Sequence, residues 1–491
     1  MHAVTRRHSL SRRLVLATTF GLAVPLAVTA AVAAPARATS PGAGAGSGVV
    51  VNGVGHYQRI AGFGASEAFG EAEVVQDAPA AVQQQALDLL YSRTDGAGLT
   101  ILRNEISADA GTTIEPTAPA SPAAPPSYLS LASAADDQGQ LWWAQTIKKE
   151  FGVTDVFADA WSAPAFMKTN DSADNGGTLC GVPGATCASG DWVQAYASYL
   201  AQYAKDYAAA GVPLSYVGAE NEADIGPDYD SMLMSPTQTA NVMEYLGPTL
   251  RRDGLRTQAE CCATEGWDYA QQYAAAIEAD PRADANTALF TSHGYTEAPD
   301  SPLAGWTKPV WETEWSTFES WDPAWDDGTD ASGFSWAQNI YNGLANSNLS
   351  AFLYWWGSGT PTFNGDNESL IQLNTTTGTV TPSGRLWAFA NYSRFVRPGA
   401  TRIGTSSGNS DLETLAFRNT NGSVAVVVLN TATTAQTTSF SVRHTGASAA
   451  VAVPYLTDDT HDTAAQAPLR VLGGSFTATV PARSLVTYYI G

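Results

Sequence analysis

The chain has 491 residues, of which 44% are hydrophobic and 15% charged. It is too long for one small domain and too apolar for a disordered chain, so a large packed domain with an accessory one is expected. The formal net charge of −22 repels nucleic acid and anionic membranes and admits a neutral or weakly charged polymer as partner.

The first 38 residues read as an export signal. Arg6, Arg7, Arg12 and Arg13 form a basic start, Leu14 to Ala34 is apolar and uncharged, and Ala36-Arg37-Ala38 is a small-x-small cleavage site. The apolar run is also long enough for a membrane anchor. The cleavage site and the Pro/Gly/Ser-rich stretch Pro41 to Gly48 favour removal and a secreted, extracellular product. Ser11-Arg12-Arg13-Leu14 hints at the twin-arginine route beside the general one. Cleavage removes five arginines and no acids, which moves the charge to −27. No later segment is long and apolar enough to span a bilayer.

Residues 39–56 read as a linker and an extended strand, Val49 to Val54, expected to join a side β-domain. From 57 to 400 short strands alternate with helices. Strands are expected at Ile60 to Gly64, Leu99 to Leu102, Thr154 to Ala160 and Leu214 to Ala219. Four more are expected at Thr257 to Glu260, Ala288 to Ser292, Pro309 to Glu312 and Ser350 to Tyr354. Helical periodicity runs over Gln83 to Tyr91, Gln138 to Glu150, Asp191 to Ala210 with Asp191 as cap, and Thr237 to Asp253. It returns over Tyr269 to Glu278, Ser335 to Asn346 and Arg385 to Arg394. Eight such units predict an α/β fold, a (β/α)8 TIM barrel with a parallel sheet. A doubly wound sheet is the alternative, but Gly62-Phe63-Gly64 lacks the third glycine of a phosphate-binding turn. Residues 401–491 change character: short Val/Thr/Ser-rich runs between Gly/Asn/Asp turns predict a C-terminal antiparallel β-sandwich, a buttress or a carbohydrate-binding module.

The four cysteines are Cys180, Cys187, Cys261 and Cys262. Export permits disulfides, and Cys180 with Cys187 flanks a Gly/Pro loop that a bond would close. The adjacent Cys261-Cys262 reads as a vicinal disulfide, two free buried thiols or a metal site. The spacing matches no zinc pattern, so neither metal nor cofactor is expected.

Catalytic groups in a barrel sit at the C-terminal ends of strands. The fourth strand ends in Gly218-Ala219-Glu220-Asn221-Glu222-Ala223-Asp224 and the seventh in Val310-Trp311-Glu312-Thr313-Glu314-Trp315. Retaining glycosidases need two carboxyl groups about 5–5.5 Å apart, one to shuttle a proton and one to attack the anomeric carbon. Two strand ends three apart in order answer that need, although acidic loop residues are common in an acidic protein. Trp161, His293, Tyr295 and Trp355 stand at other strand ends, where aromatic faces stack on sugars; a single Trp is also ordinary core, and His293 is given no proton-transfer role. Arg103 and Asn104 end the second strand, where Arg103 clamps substrate, orients a carboxylate or makes a structural ion pair. A non-catalytic carbohydrate-binding protein would need the aromatics but not the paired carboxylates.

Together these segments resemble glycoside hydrolase family 30, part of the large clan of retaining (β/α)8 glycosidases. The matching stretches are Gly62-Phe63-Gly64-Ala65-Ser66, Trp161-Ser162-Ala163-Pro164 with Met167-Lys168-Thr169-Asn170, Asn221-Glu222, Thr313-Glu314, and Arg394-Phe395-Val396-Arg397-Pro398-Gly399. The resemblance implies Glu222 as acid/base, Glu314 as nucleophile and Asn221 as a hydrogen-bond partner of the sugar 2-OH. Cys180 to Trp192, and Cys261-Cys262 with Glu265-Gly266-Trp267, are most similar to the subfamily 7 xylanases, which implies β-1,4-xylan as substrate. Other branches of the family imply β-1,6-galactan or β-1,6-glucan. The residue after the acid/base is often Pro in these enzymes and is Ala223 here. Relatives that grip a glucuronic acid branch tend to carry Arg-Asn-Arg where this chain has Arg103-Asn104-Glu105, and a glutamate repels a uronate. No strict glucuronoxylan requirement is therefore expected. The implied partner is a polysaccharide or oligosaccharide bound by a monomer, with a bell-shaped pH profile centred on mildly acidic pH.

Glu220 and Glu312 stand two residues before the chosen pair. Strand alternation places each on the same face as its partner. The choice of Glu222 and Glu314 rests on the Asn-Glu and Thr-Glu matches.

Overall fold

A computed structural model describes residues 48–131, 137–361, 367–447 and 449–491. The expected export signal, residues 1–38, lies outside them, as does the linker up to residue 47. The described chain opens with strand β1 (Val49–Arg59). Eight parallel strands follow: β2 (Gly62–Ser66), β3 (Ile101–Ile106), β4 (Asp155–Ala160), β5 (Tyr216–Gly218), β6 (Gln258–Thr264), β7 (Thr287–His293), β8 (Val310–Glu314) and β9 (Ala351–Gly359). Each pairs with the next, and β9 pairs back to β2 with Gly62 opposite Ala351. The ring is the expected barrel. A hairpin not expected from the sequence, β10 (Ser369–Asn374) and β11 (Thr379–Pro382), extends β9.

The helices are α1 (Glu71–Gln76), α2 (Ala80–Tyr91), α3 (Gln140–Phe151), α4 (Val193–Ala209), α5 (Pro236–Arg252), α6 (Trp267–Ala279), α7 (Pro281–Asn286), α8 (Gly333–Asn346) and α9 (Gly384–Ser393). Helices α1 and α7 are not expected from sequence, because six residues carry too little periodicity. Helix α4 starts two residues later than expected, so Asp191 is not the cap residue; its carboxylate still accepts the Val193 N–H at 3.0 Å. Helix α5 starts at a capping box, with the Ser235 N–H donating to Gln238 at 2.8 Å.

The inward stripes of the barrel strands are layered. Ile101, Phe157, Leu289, Trp311, Ala351 and Leu353 fill one end as a dry cluster. Two residues further along, the same stripes carry Arg103, Asp159 and Thr291, all buried. Two further still come Glu105, Trp161, His293 and, on β9, Trp355 after Leu353. Period-2 alternation thus lifts chemistry from an apolar floor to the C-terminal mouth.

The rest of the chain forms β12 (Thr401–Ser407), β13 (Leu412–Arg418), β14 (Val424–Asn430), β15 (Gln436–Arg443), β16 (Val451–Asp458), β17 (His461–Ala465), β18 (Leu469–Arg470), β19 (Ser475–Val480) and β20 (Ser484–Ile490). Here β1 pairs antiparallel with β12 and parallel with β15. That parallel ladder departs from the all-antiparallel expectation, because the inserted strand comes from the other end of the chain. Strand β14 is buried throughout rather than alternating. Val424, Val426 and Val428 face the sandwich core, while Ala425, Val427 and Leu429 join the barrel's core. Both faces of β14 are covered, so the hydrophobic run is continuous. Polar contacts also tie the two parts. Thr487 donates to the Asn391 carbonyl of α9 at 2.6 Å, and Arg483 pairs with Asp326 at 2.7 Å. No helix among the described residues is long and apolar enough to cross a membrane.

Candidate active site

Strand β5 stops at Gly218, so the residues beyond it are not bound to alternate. Glu222 adopts a left-handed backbone, φ 49°, and its N–H donates to the Ala263 carbonyl at 2.7 Å. Such a conformation costs a non-glycine residue roughly 1–3 kcal/mol and concentrates at functional sites. It turns Glu222 into the barrel mouth. Glu220 goes the other way and accepts from Thr239 of α5 at 2.8 Å.

At β8 a bulge does the same. Ser292 pairs with Glu312 and the next residue, His293, pairs with Glu314, so Thr313 is an extra residue on β8. A bulge re-aims the side chains beyond it. Glu312 therefore accepts from the Trp267 indole N–H at 2.7 Å, while Glu314 enters the mouth. The expectation that strand alternation leaves each pair on one face is corrected at both ends.

Within the mouth, Arg103 is the hub. Its Nε donates to Asp159 Oδ2 at 2.6 Å, one terminal nitrogen donates to Asn221 Oδ1 at 2.6 Å, and the other donates to Glu314 Oε2. Tyr295 donates to Glu314 Oε1 at 2.8 Å. His293 Nδ1 stands 3.0 Å from Glu222 Oε1, and its Nε2 is 3.8 Å from Glu314 Oε2. One oxygen of each glutamate and one His293 nitrogen all lie within 4.8 Å of one another. Three such donors would also suit a cation, but the guanidinium seated on Glu314 opposes one.

The two carboxyls differ electrostatically. Burial, reinforced by Asp224, pushes Glu222 up to about 8 against the pull of Arg103. Burial raises Glu314 too, and His293 and Arg103 hold it back. Burial lowers His293 to about 4, so its imidazole is neutral at neutral pH. The permanent countercharge of Glu314 is thus Arg103.

Aromatic rings wall the cleft. The Arg103 guanidinium lies 4.5 Å from the Trp161 ring centre and 5.9 Å from that of Trp355. Trp355 stacks on Trp356, with Phe69 edge-on to Trp161 and Trp355. Asn104 does not reach the cleft. Alternation turns it outward, where it donates to the Tyr207 hydroxyl of α4 at 2.9 Å. Its expected substrate contact is corrected on that ground. Glu105 is buried, accepts from the Phe69 N–H at 3.0 Å and is raised to about 8 by burial. The expected repulsion of a uronate assumed an ionised group and loses its force below that pH.

Cys180 and Cys187 form a disulfide, as do Cys261 and Cys262. Of the readings open for the adjacent pair, the vicinal disulfide is the one present. Sequence reasoning does not single out Asp159, Glu260 or Thr291, although the period-2 stripe Phe157, Asp159, Trp161 marks the first of them.

A (β/α)8 barrel with two opposed, differently tuned carboxyl groups among aromatic rings defines a glycoside hydrolase. Residues 47–299 match the family model "O-Glycosyl hydrolase family 30", and residues 399–488 match "Glycosyl hydrolase family 30 beta sandwich domain". The chain belongs to glycoside hydrolase family 30. The catalytic domain of a family 30 xylanase C from Talaromyces cellulolyticus is 42% identical, covers 90% of this chain and 99% of its own, and superposes with a TM-score of 0.84. Glucuronoxylanase XynC of Bacillus subtilis is 25% identical over 68% of this chain and 74% of its own. An endo-1,6-β-D-glucanase of Trichoderma harzianum is 24% identical over 77% of this chain and 78% of its own.

Proposed function

We propose that the protein is a secreted retaining glycosidase that cleaves β-1,4-xylan, with Glu222 as acid/base and Glu314 as nucleophile. The observation that carries the mechanism is the pair of carboxyl oxygens within 4.8 Å. Retaining enzymes hold their carboxyl groups about 5–5.5 Å apart, and inverting ones need roughly 6.5–9.5 Å to seat a water.

Glu222, neutral below about 8, donates its proton to the glycosidic oxygen as the bond breaks. Glu314, its charge held by Arg103 and its second oxygen by Tyr295, attacks the anomeric carbon from the opposite face. A glycosyl-enzyme forms. Glu222, now ionised, takes a proton from water, which displaces Glu314 and restores the β configuration. Asn221, whose carbonyl Arg103 holds, offers its amide N–H groups to the sugar 2-OH. Neutral His293 keeps the Glu222 carboxyl in place through Nδ1. Trp161 and Trp355 stack on sugar faces.

The substrate reading is supported by the 42% identity to a xylanase across nearly the whole catalytic domain. The 24% relative that cleaves a β-1,6-glucan keeps that polymer as the competing outcome. Incubation with glucuronoxylan, linear xylan, arabinogalactan and β-1,6-glucan, with products resolved by chain length, tests it. Xylo-oligosaccharides with an initial β anomer are expected. Products from β-1,6-glucan or arabinogalactan alone would overturn the substrate, and an initial α anomer would overturn the mechanism.

A further inference from the structure

Beneath the two catalytic glutamates lies a second pair of acids that the mechanism does not use. Asp159 on β4 and Glu260 on β6 are buried in the barrel, 0% and 1% exposed. Asp159 Oδ1 and Glu260 Oε1 accept from no other described group. Both oxygens occupy the space beside Gly218, where a Cβ would overlap the two of them. Two buried carboxyl oxygens beside one missing Cβ, with no other donor between them, call for a proton on Glu260. Burial first, then Asp159, raises the Glu260 carboxyl well above its ordinary range.

The other ends of both side chains lead to the catalytic pair. Asp159 Oδ2 takes the Nε of Arg103, which holds Glu314 and Asn221. Glu260 Oε2 accepts from the Thr291 hydroxyl at 2.6 Å, and that hydroxyl accepts from the Ala263 N–H at 2.8 Å. The carbonyl of Ala263 receives the N–H of Glu222. Ala263 is itself left-handed, φ 44°, like Glu222, so this peptide link holds two strained residues together.

We propose that Glu260 is a positioning residue for both halves of the reaction, which donates its proton to Asp159 across the gap that Gly218 leaves open. Toward Glu314 its hydrogen bond occupies Asp159, so that more of the Arg103 charge serves the nucleophile. Toward Glu222 it anchors Thr291 and, through it, the peptide that fixes the acid/base backbone. Gly218 is glycine because a methyl group would part the two carboxyls. The charged and titratable groups that act on this pair are Arg103 from β3, Glu220 after β5, His293 at the end of β7 and Tyr196 from α4.

The inference rests on Glu314 being the nucleophile, so the test begins with a 2-deoxy-2-fluoro-glycoside inactivator and mass spectrometry of the labelled peptide. A label elsewhere overturns the proposed mechanism itself. With Glu314 labelled, kcat and KM are measured from pH 3 to 9 for Glu260→Ala, Glu260→Gln, Asp159→Asn and Gly218→Ala. Glu260→Ala should lower kcat about 10- to 100-fold with a smaller change in KM, because the groups it holds lose their alignment. Its acid limb should move up by about half a pH unit or more, as Asp159, without that hydrogen bond, competes harder with Glu314 for Arg103. Gly218→Ala should move it the same way. Asp159→Asn removes the competitor, so its acid limb should move down. Glu260→Gln should recover most of the rate, since its amide donates to Asp159 and accepts from Thr291. Acid limbs that stay fixed or move together in Glu260→Ala and Asp159→Asn overturn the proposal. So does a Glu260→Gln enzyme as slow as Glu260→Ala. If Glu260→Ala does not fold, the near-isosteric Glu260→Gln and Asp159→Asn decide it: an acid limb unmoved in Asp159→Asn overturns the proposal.

Discussion

The ends of β5 and β8 carry the same motif, two glutamates spaced by one residue, and solve the same problem differently. In each the first glutamate serves the protein: Glu220 is held by Thr239 and Glu312 by Trp267. In each the second faces the cleft. At β5 the strand simply ends, and a left-handed residue turns the chain; at β8 the strand continues, and one inserted residue shifts the face. Where a strand must still close the barrel ladder a bulge is the available device, since it leaves the flanking pairs intact. The β5 route stores backbone strain at the proposed acid/base itself and needs an outside anchor, the Ala263 carbonyl.

The contrast within each pair is the easiest to break. Glu314→Gln should lower kcat by more than about 10⁴-fold, because the covalent step loses its nucleophile. Glu222→Gln should cost roughly 10²–10⁴-fold, with the smaller loss on substrates whose leaving group needs no proton. Steady-state kinetics on xylan and on an aryl glycoside separate the two, and equal loss on both substrates for Glu222→Gln would reverse the roles.

The contrast between the two devices is sharpened by deleting Thr313. With Thr313 gone, Glu314 follows Glu312 directly, and alternation alone keeps it on the cleft face opposite His293. The loss should stay well short of that of Glu314→Gln, about 10²-fold or less, with the far-ultraviolet circular dichroism of the barrel kept. A folded deletion variant as slow as Glu314→Gln would show that alternation does not set the face of Glu314.

The different settings of the two carboxyls predict the pH limbs. As the proposed general acid, Glu222 must be protonated, so the alkaline limb should fall as pH rises through about 8. The acid limb is assigned to Glu314, the proposed nucleophile, which burial also raises. The optimum should therefore sit nearer neutrality than the mildly acidic centre expected from sequence. An alkaline limb below pH 6 would contradict the burial of Glu222.

Buried acids make a smaller, global effect. Glu71, Glu105 and Glu222 are raised from 4.5 to about 8 by burial. Between those values the folded protein holds more protons than the unfolded chain, so stability falls as pH rises. Tm by calorimetry should be highest near pH 5 and drop by several degrees toward pH 8. A rising Tm over that window would count against these neutral acids. Smallest of all, Glu220→Gln and Glu312→Gln should leave kcat within about tenfold, since each amide can still accept the hydrogen bond its carboxylate takes.

Alternation of short strands and helices specifies the barrel from local pattern alone, because period 2 and period 3.6 are properties of neighbouring residues. The same period leads from Phe157 through Asp159 to Trp161 and from Leu289 through Thr291 to His293. Most of the mouth is therefore legible in one sequence. Asn104 escapes that reading when its neighbours are taken as a cluster rather than as alternate faces. What the sequence leaves open lies where the period breaks. Only the folded chain shows that Glu222 is left-handed, that Thr313 is a bulge, and that Cys261 bonds to Cys262. Only tertiary structure brings Glu260 and Asp159, 101 positions apart in number, to either side of one absent methyl group. Local pattern determines which face a residue occupies while the backbone stays regular; where it does not, hydrogen bonds from distant strands decide.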